Sequence, residues 1–68
     1  MQIVIKRISI ISSEVEYLTY NGDWSTDKQD ALLFDAQDDL SGAMLIANVS
    51  NKDDITHIYF IDYIRYSN

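Results

Sequence analysis

"ITHIYFIDYIRY", Ile55 to Tyr66, is the clearest strand in the chain, and its alternation decides how the rest must be arranged. β-Branched and aromatic residues fill it, the composition of a pleated and half-buried surface. One parity carries Ile58, Phe60, Asp62, Ile64 and Tyr66, and the other carries His57, Tyr59, Ile61, Tyr63 and Arg65. The first set reads as a core face apart from Asp62. The second is mixed and aromatic, which suits a half-open face. Such a strand needs a covering layer on one side only.

The preceding segment, "DAQDDLSGAMLIANVSN" from Asp35 to Asn51, supplies that layer. Asp35 suits a helix N-cap, and Asp38 and Asp39 would fall in the first turn, where the helix dipole favours acids. Ala36, Leu40, Ala43, Met44 and Ala47 recur at the spacing of one helical face. Against this, Gly42 costs roughly 1 kcal/mol relative to Ala, and residues 43–49 taken alone also fit a strand. The cap and the period favour the helix.

Further upstream, "QIVIKRISII" (2–11) reads as a strand whose alternation changes phase at Lys6-Arg7. A bulge there would keep Ile3, Ile5, Ile8 and Ile10 on one face; otherwise the strand is apolar on both faces. Ser12 to Glu14 makes a tight connection to a second strand, "VEYLTY", which ends at the turn signal Asn21-Gly22. Ser25 or Thr26 can cap a short helical turn, with Asp27 at its positive end. "ALLF" (31–34) is either extended or the close of that turn. The expected architecture is a single small α+β domain over residues 1–68, a two-layer sandwich in the order β-β-α-β. A three- to four-stranded antiparallel sheet would be packed by one main helix.

Composition narrows the function. With 68 residues and no cysteine, the chain has neither disulfides nor thiolate metal sites to reinforce a small core. No apolar block approaches the roughly 18 residues of a membrane span, and Lys6 and Arg7 interrupt the first apolar run. The expectation is a cytoplasmic protein with no membrane partner. Eleven acids against five bases give a net charge of −6. The segment Asp23–Asp54 holds eight of the acids and two lysines, which accounts for the whole excess. Such a field repels phosphate and attracts basic surfaces, so direct nucleic-acid binding is disfavoured.

Catalysis finds little support. His57 is the sole histidine, Ser41-Gly42 lacks a nucleophile-elbow setting, and two glycines cannot form a phosphate-cradling loop. Asp35, Asp38, Asp39 and the pair Asp53-Asp54 do not match a calcium loop and read better as caps and a solvated face. No enzyme, metal or cofactor is expected. Tyr59 and Tyr63 share a strand face that Tyr17 or Tyr20 could approach. Base-stacking sheets surround such aromatics with basic residues, whereas protein interfaces use them as buried anchors.

The pattern Tyr17-Leu18, Gly22-x-Trp24, Asp27, Ala31, Phe34, then Ala36 at a helix head resembles a motif of short uncharacterised proteins encoded by tailed bacteriophages. The resemblance spans Tyr17 to about Ala47. It departs at Ser41-Gly42, where those proteins carry an acidic, alanine-rich helix. Trp24, Ala31 and Phe34 read as a hydrophobic corner folded over the helix start, with Ala31 small for close approach. The resemblance implies an accessory protein that binds a host protein in the host cytoplasm. Charge and aromatics together nominate Asp23, Trp24, Asp27, Asp30, Asp35, Asp38, Asp39, Tyr59 and Tyr63 as contacts to a partner with a basic surface. The alternative is a self-associating homo-oligomer; least favoured is a metal-dependent enzyme built on the aspartates.

Overall fold

The computed structural model describes residues 1–64. The elements are β1 (Gln2–Ser9), β2 (Val15–Leu18), β3 (Trp24–Ser25), a 3₁₀ turn (Lys28–Asp30), β4 (Phe34–Asp35), α1 (Leu40–Asp53) and β5 (His57–Ile64). One helix and an antiparallel sheet make a mixed α+β fold. The sheet has five strands rather than three or four, because the long connection contributes the two-residue strands β3 and β4.

β1 lies at the centre. β5 lines one edge of it along the whole length, from Gln2↔Ile64 to Ser9↔His57. The other edge is shared: β2 takes the second half (Lys6↔Tyr17 to Ile8↔Val15) and β4 the first (Gln2↔Asp35, Ile3↔Phe34). β2 leaves β1 after Leu18. There Thr19 bridges to Ala31, and the Leu32 N–H donates to the Leu18 carbonyl, which curls the sheet. "ALLF" is therefore extended. Ala31, 3% exposed, sits where the segment crosses closest to β2. The turn before β3 needs one left-handed residue, and Gly22 supplies it at φ 82°.

The bulge at Lys6-Arg7 is absent: the β1–β5 register runs one to one through both residues. β1 is instead apolar on both faces. Ile3, Val4 and Ile5 are consecutive and all buried, as a central strand flanked on both edges requires. The strand ends at Ser9, whose hydroxyl accepts the N–H groups of Ile11 and Ser12. Ile10 and Ile11 fall in the turn and are exposed.

The register also corrects the faces of β5. Tyr59, Ile61 and Tyr63 stand opposite Arg7, Ile5 and Ile3, so this parity faces the helix. Tyr59 is 7% exposed, whereas Ile58 and Phe60, expected in the core, are 54% and 37% exposed. The phase is imposed by Ile3 and Ile5, not by the hydrophobicity of β5 itself. Tyr59 tolerates burial because its hydroxyl finds partners there. Arg65 and Tyr66, the end of the expected strand, lie outside the described residues.

The helix starts at Leu40, four residues later than a cap at Asp35 implied. Asp35 caps a preceding turn: its Oδ1 accepts the N–H groups of Gln37 (2.7 Å) and Asp38 (3.0 Å). Residues 43–49 are helical, and Ala43 and Ala47 are buried against the sheet. These small side chains let the helix approach closely, while Met44, expected on the same face, is 47% exposed. The core joins Ile3, Ile5 and Ala43, with Leu18, Trp24, Phe34, Ala36, Leu40 and Ile61 packed around them.

Candidate partner-binding surface

The nominated residues divide into three groups. Asp23, Trp24 and Asp30 come together in an open cleft of about 470 Å³ between the β2–β3 hairpin and the 3₁₀ turn, with Thr19, Tyr20 and Gln29 in the wall. Tyr20 projects from the hairpin, 71% exposed. Asp30 accepts the Ser25 hydroxyl at 2.9 Å, which ties the turn to β3. Asp27 has a second duty, since its Oδ1 caps the 3₁₀ turn through the Gln29 N–H, a role assigned from sequence to Ser25 or Thr26.

The second group, Asp35, Asp38 and Asp39, lies at the helix start, and all three are exposed. Two backbone N–H bonds, from Asp38 and Gln37, hold the Asp35 carboxyl below the usual carboxylate range. Asp39 Oδ2 accepts the Asp35 N–H at 3.3 Å. The structure thus uses several acids as local caps and leaves their second oxygens and their charge at the surface.

The third group separates. Tyr63 is half exposed, but Tyr59 faces inward at the centre of a polar network that sequence reasoning missed. The Tyr59 hydroxyl donates to Asp54 Oδ2 (2.6 Å) and accepts a long bond from Arg7 Nη1 (3.5 Å). Arg7 Nε donates to Glu16 (2.9 Å), and its guanidinium lies 4.5 Å from the centre of the Trp24 ring. Trp24 in turn meets Tyr59 edge-on at 5.4 Å. His57 closes the circuit, with Nδ1 3.0 Å from Asp54 and Nε2 3.9 Å from Glu16.

Electrostatics follow from these contacts. The Thr56 and Tyr59 hydroxyls hold the Asp54 carboxyl well below its usual range. Burial and the bond to Asp54 raise the Tyr59 phenol. Burial opposes the charge on Arg7, yet its bonds to Tyr59 and Glu16 prevail and raise its pKa. Each ring nitrogen of His57 is directed at a carboxylate, so the arrangement serves to close one end of the sheet. The spacing Asp54-x-x-His57-x-Tyr59 was visible in the sequence, but its meaning depended on Arg7 and Glu16 arriving by strand pairing.

Two cations are consumed internally: Lys6 pairs with Asp62 and Arg7 with Glu16. Asp23, Asp27, Asp30, Asp35, Asp38 and Asp39 are all exposed, and none forms an ion pair among the described residues. A separate apolar groove of about 350 Å³ runs between α1 and β5, lined by Leu40, Met44, Ala47, Asn48 and residues 59–61. Among the described residues no group of three acids or histidines could hold a metal ion, and no helix is long and apolar enough to cross a membrane. No family model, curated protein or solved structure matches the chain.

Proposed function

We propose that the chain is a non-enzymatic binding protein whose acidic surface engages a basic face of another protein and modulates or inhibits it. The observation that carries this reading is the uncompensated acidity of the connection and helix start. Six exposed aspartates there form no ion pair among the described residues, while Lys6 and Arg7 are held elsewhere. Such a surface steers a basic partner over roughly a Debye length, about 8 Å at physiological salt. Trp24 and Tyr20 at the hairpin cleft supply aromatic area within that field. The setting we propose, a phage-type accessory protein in a host cytoplasm, rests on the Tyr17–Ala36 motif together with this charge.

The test is affinity capture from bacterial lysate at about 50 mM and about 500 mM salt, a range over which screening of exposed charges rises steeply. Wild type is compared with Asp23→Asn/Asp27→Asn/Asp30→Asn. A basic protein held by wild type, released by salt and lost with the triple variant supports the reading. Capture that ignores both salt and the substitutions overturns the acidic-surface mechanism.

A further inference from the structure

The outer edge of β5 is the longest open edge of the described sheet: β1 fills the opposite edge, and no described strand pairs this one. Asn51 fixes the orientation of its backbone. The Asn51 carboxamide accepts the Tyr59 N–H (2.8 Å) and donates to the Tyr59 carbonyl (2.8 Å), acting as one rung of a missing strand. In an antiparallel ladder alternate residues direct their N–H and C=O groups to opposite edges. His57, Tyr59, Ile61 and Tyr63 therefore aim outward. Beyond Tyr59, Ile61 has no strand partner on this side among the described residues, and the Tyr63 N–H donates to the neighbouring Asp62 side chain at 2.9 Å.

α1 lies chiefly over β5, so its flank overhangs this edge. The groove there, lined by Leu40, Met44, Ala47 and Asn48, carries no charged residue. It offers the charge of a basic partner nothing to meet. A second copy of the same strip matches it in both backbone and side-chain chemistry.

We propose that β5 pairs with itself: two copies join their sheets antiparallel about a two-fold axis at Asp62. Ile61 then stands opposite the partner's Tyr63, and Tyr63 opposite the partner's Ile61, each pair exchanging two backbone hydrogen bonds. On the outer face Phe60 meets the partner's Ile64. Both Asn51–Tyr59 clamps stay in place, since the new rungs begin beyond them. The two Asp62 carboxylates face one another across the axis, each already matched by its own Lys6. Met44 (47% exposed), Phe60 (37%) and Tyr63 (50%) border the edge. A half-exposed large side chain hides on the order of 100 Å² when covered. Three such side chains per copy and the strand backbone give about 900 Å² across the pair, at the low end for a specific contact, so the dimer is weak. It is also isologous, as a closed two-fold contact requires.

Net charge makes the test specific. Two copies at −6 each repel, so salt strengthens this association, whereas it weakens attraction to a basic partner. Sedimentation equilibrium from about 10 to about 500 μM, a range that spans weak dimers, at low and at high salt should move the mass from 7.9 kDa toward twice that value. Tyr63→Pro removes an outward N–H without touching the β1 ladder, and Met44→Glu places a carboxylate in the groove at an exposed helix position. Each variant, with its helix and sheet signal in circular dichroism retained, is expected to weaken the dimer at least about tenfold, which is 1.4 kcal/mol. A monomer at the highest concentration in both salts overturns the proposal, as does a dimer indifferent to both substitutions. Slow exchange of the Ile61 and Tyr63 amides only after addition of a basic partner also overturns it, and gives the edge to that partner.

Discussion

The inner face of the β1–β5 ladder is dry at one end and polar at the other. Ile5 faces Ile61, and Ile3 faces Tyr63 under the helix start; two residues beyond Ile5, Arg7 faces Tyr59, and Ser9 then faces His57. The dry end is closed by Ala43, Leu40 and Phe34, the polar end by Trp24, Glu16 and Asp54. Apolar side chains cover only part of this inner face, and a hydrogen-bonded network completes the rest. The two ends should fail differently. Apolar packing loses transfer energy and gains a cavity, whereas a polar network loses most when one member is left unpaired.

The largest effect is expected at the dry end. Ile5 is fully buried between both edge strands and the helix, and Ile5→Ala should cost about 2–5 kcal/mol. For a domain this small that rivals the total stability. The far-ultraviolet circular dichroism of the variant should resemble an unfolded chain at 25 °C, while Ile5→Val, costing about 0.5–1.5 kcal/mol, retains a cooperative urea transition. A cooperative Ile5→Ala variant within about 1 kcal/mol of wild type would mean that the core lies elsewhere.

At the polar end, Tyr59→Phe removes the hydroxyl shared by Asp54 and Arg7 and keeps the ring against Trp24. The expected cost is about 1–2 kcal/mol. A double-mutant cycle with Asp54→Asn should be non-additive by at least about 0.5 kcal/mol, since the two groups share one bond. Additive losses would reduce the network to separate surface contacts.

The same network sets an acid limit on stability. Asp54 is held below its unfolded pKa, chiefly by the Thr56 hydroxyl and then by Tyr59. Asp62 is held low by Lys6, and Asp35 by backbone N–H groups. A depressed carboxylate contributes stability that is complete above the unfolded value near 4 and disappears as pH falls toward the folded value. The urea midpoint should be level with respect to these groups from about pH 5 upward and fall below about pH 4. Asp54→Asn should make that fall shallower; an unchanged slope would place the acid sensitivity outside the polar end.

The dry end was largely legible in the sequence, because Ile3, Ile5, Ala43 and Ala47 declare themselves by period alone. The phase of β5 was not. Ile58 and Phe60 outrank Tyr59 in hydrophobicity, and only pairing with β1, plus partners for the Tyr59 hydroxyl, reverses the order. Asp35 misled for a local reason: a capped turn and a helix N-terminus use the same acid in nearly the same way, and the two differ by four residues here. Two-residue strands such as β3 and β4 leave no periodicity to read. Of the nominated surface, Asp23, Trp24 and Asp30 converge on one cleft. The turn signal Asn21-Gly22 foretold the hairpin beside it, whereas the return of the chain at Ala31 had no local signature beyond small size.

The smallest effect sharpens the boundary between the two ends. Asn51 belongs to the helix but behaves as sheet, holding both backbone groups of Tyr59 on the outer edge of β5. Because the site is partly open to water, which can replace either bond, Asn51→Ala should cost only about 0.5–1 kcal/mol globally. Locally the consequence is sharper. The Tyr59 amide should exchange with solvent much faster than in wild type, while the Ile5 amide, reporting global opening, changes only by the global loss. Asn51→Asp keeps the acceptor for the Tyr59 N–H and loses the donor to its carbonyl, so Tyr59 exchange should stay near wild type. If Asn51→Ala and Asn51→Asp accelerate Tyr59 equally, the donor side of the clamp governs the edge. If neither does, Tyr59 is fixed from its inner face alone, by Asp54 and Arg7, and the polar end holds the strand without help from the helix.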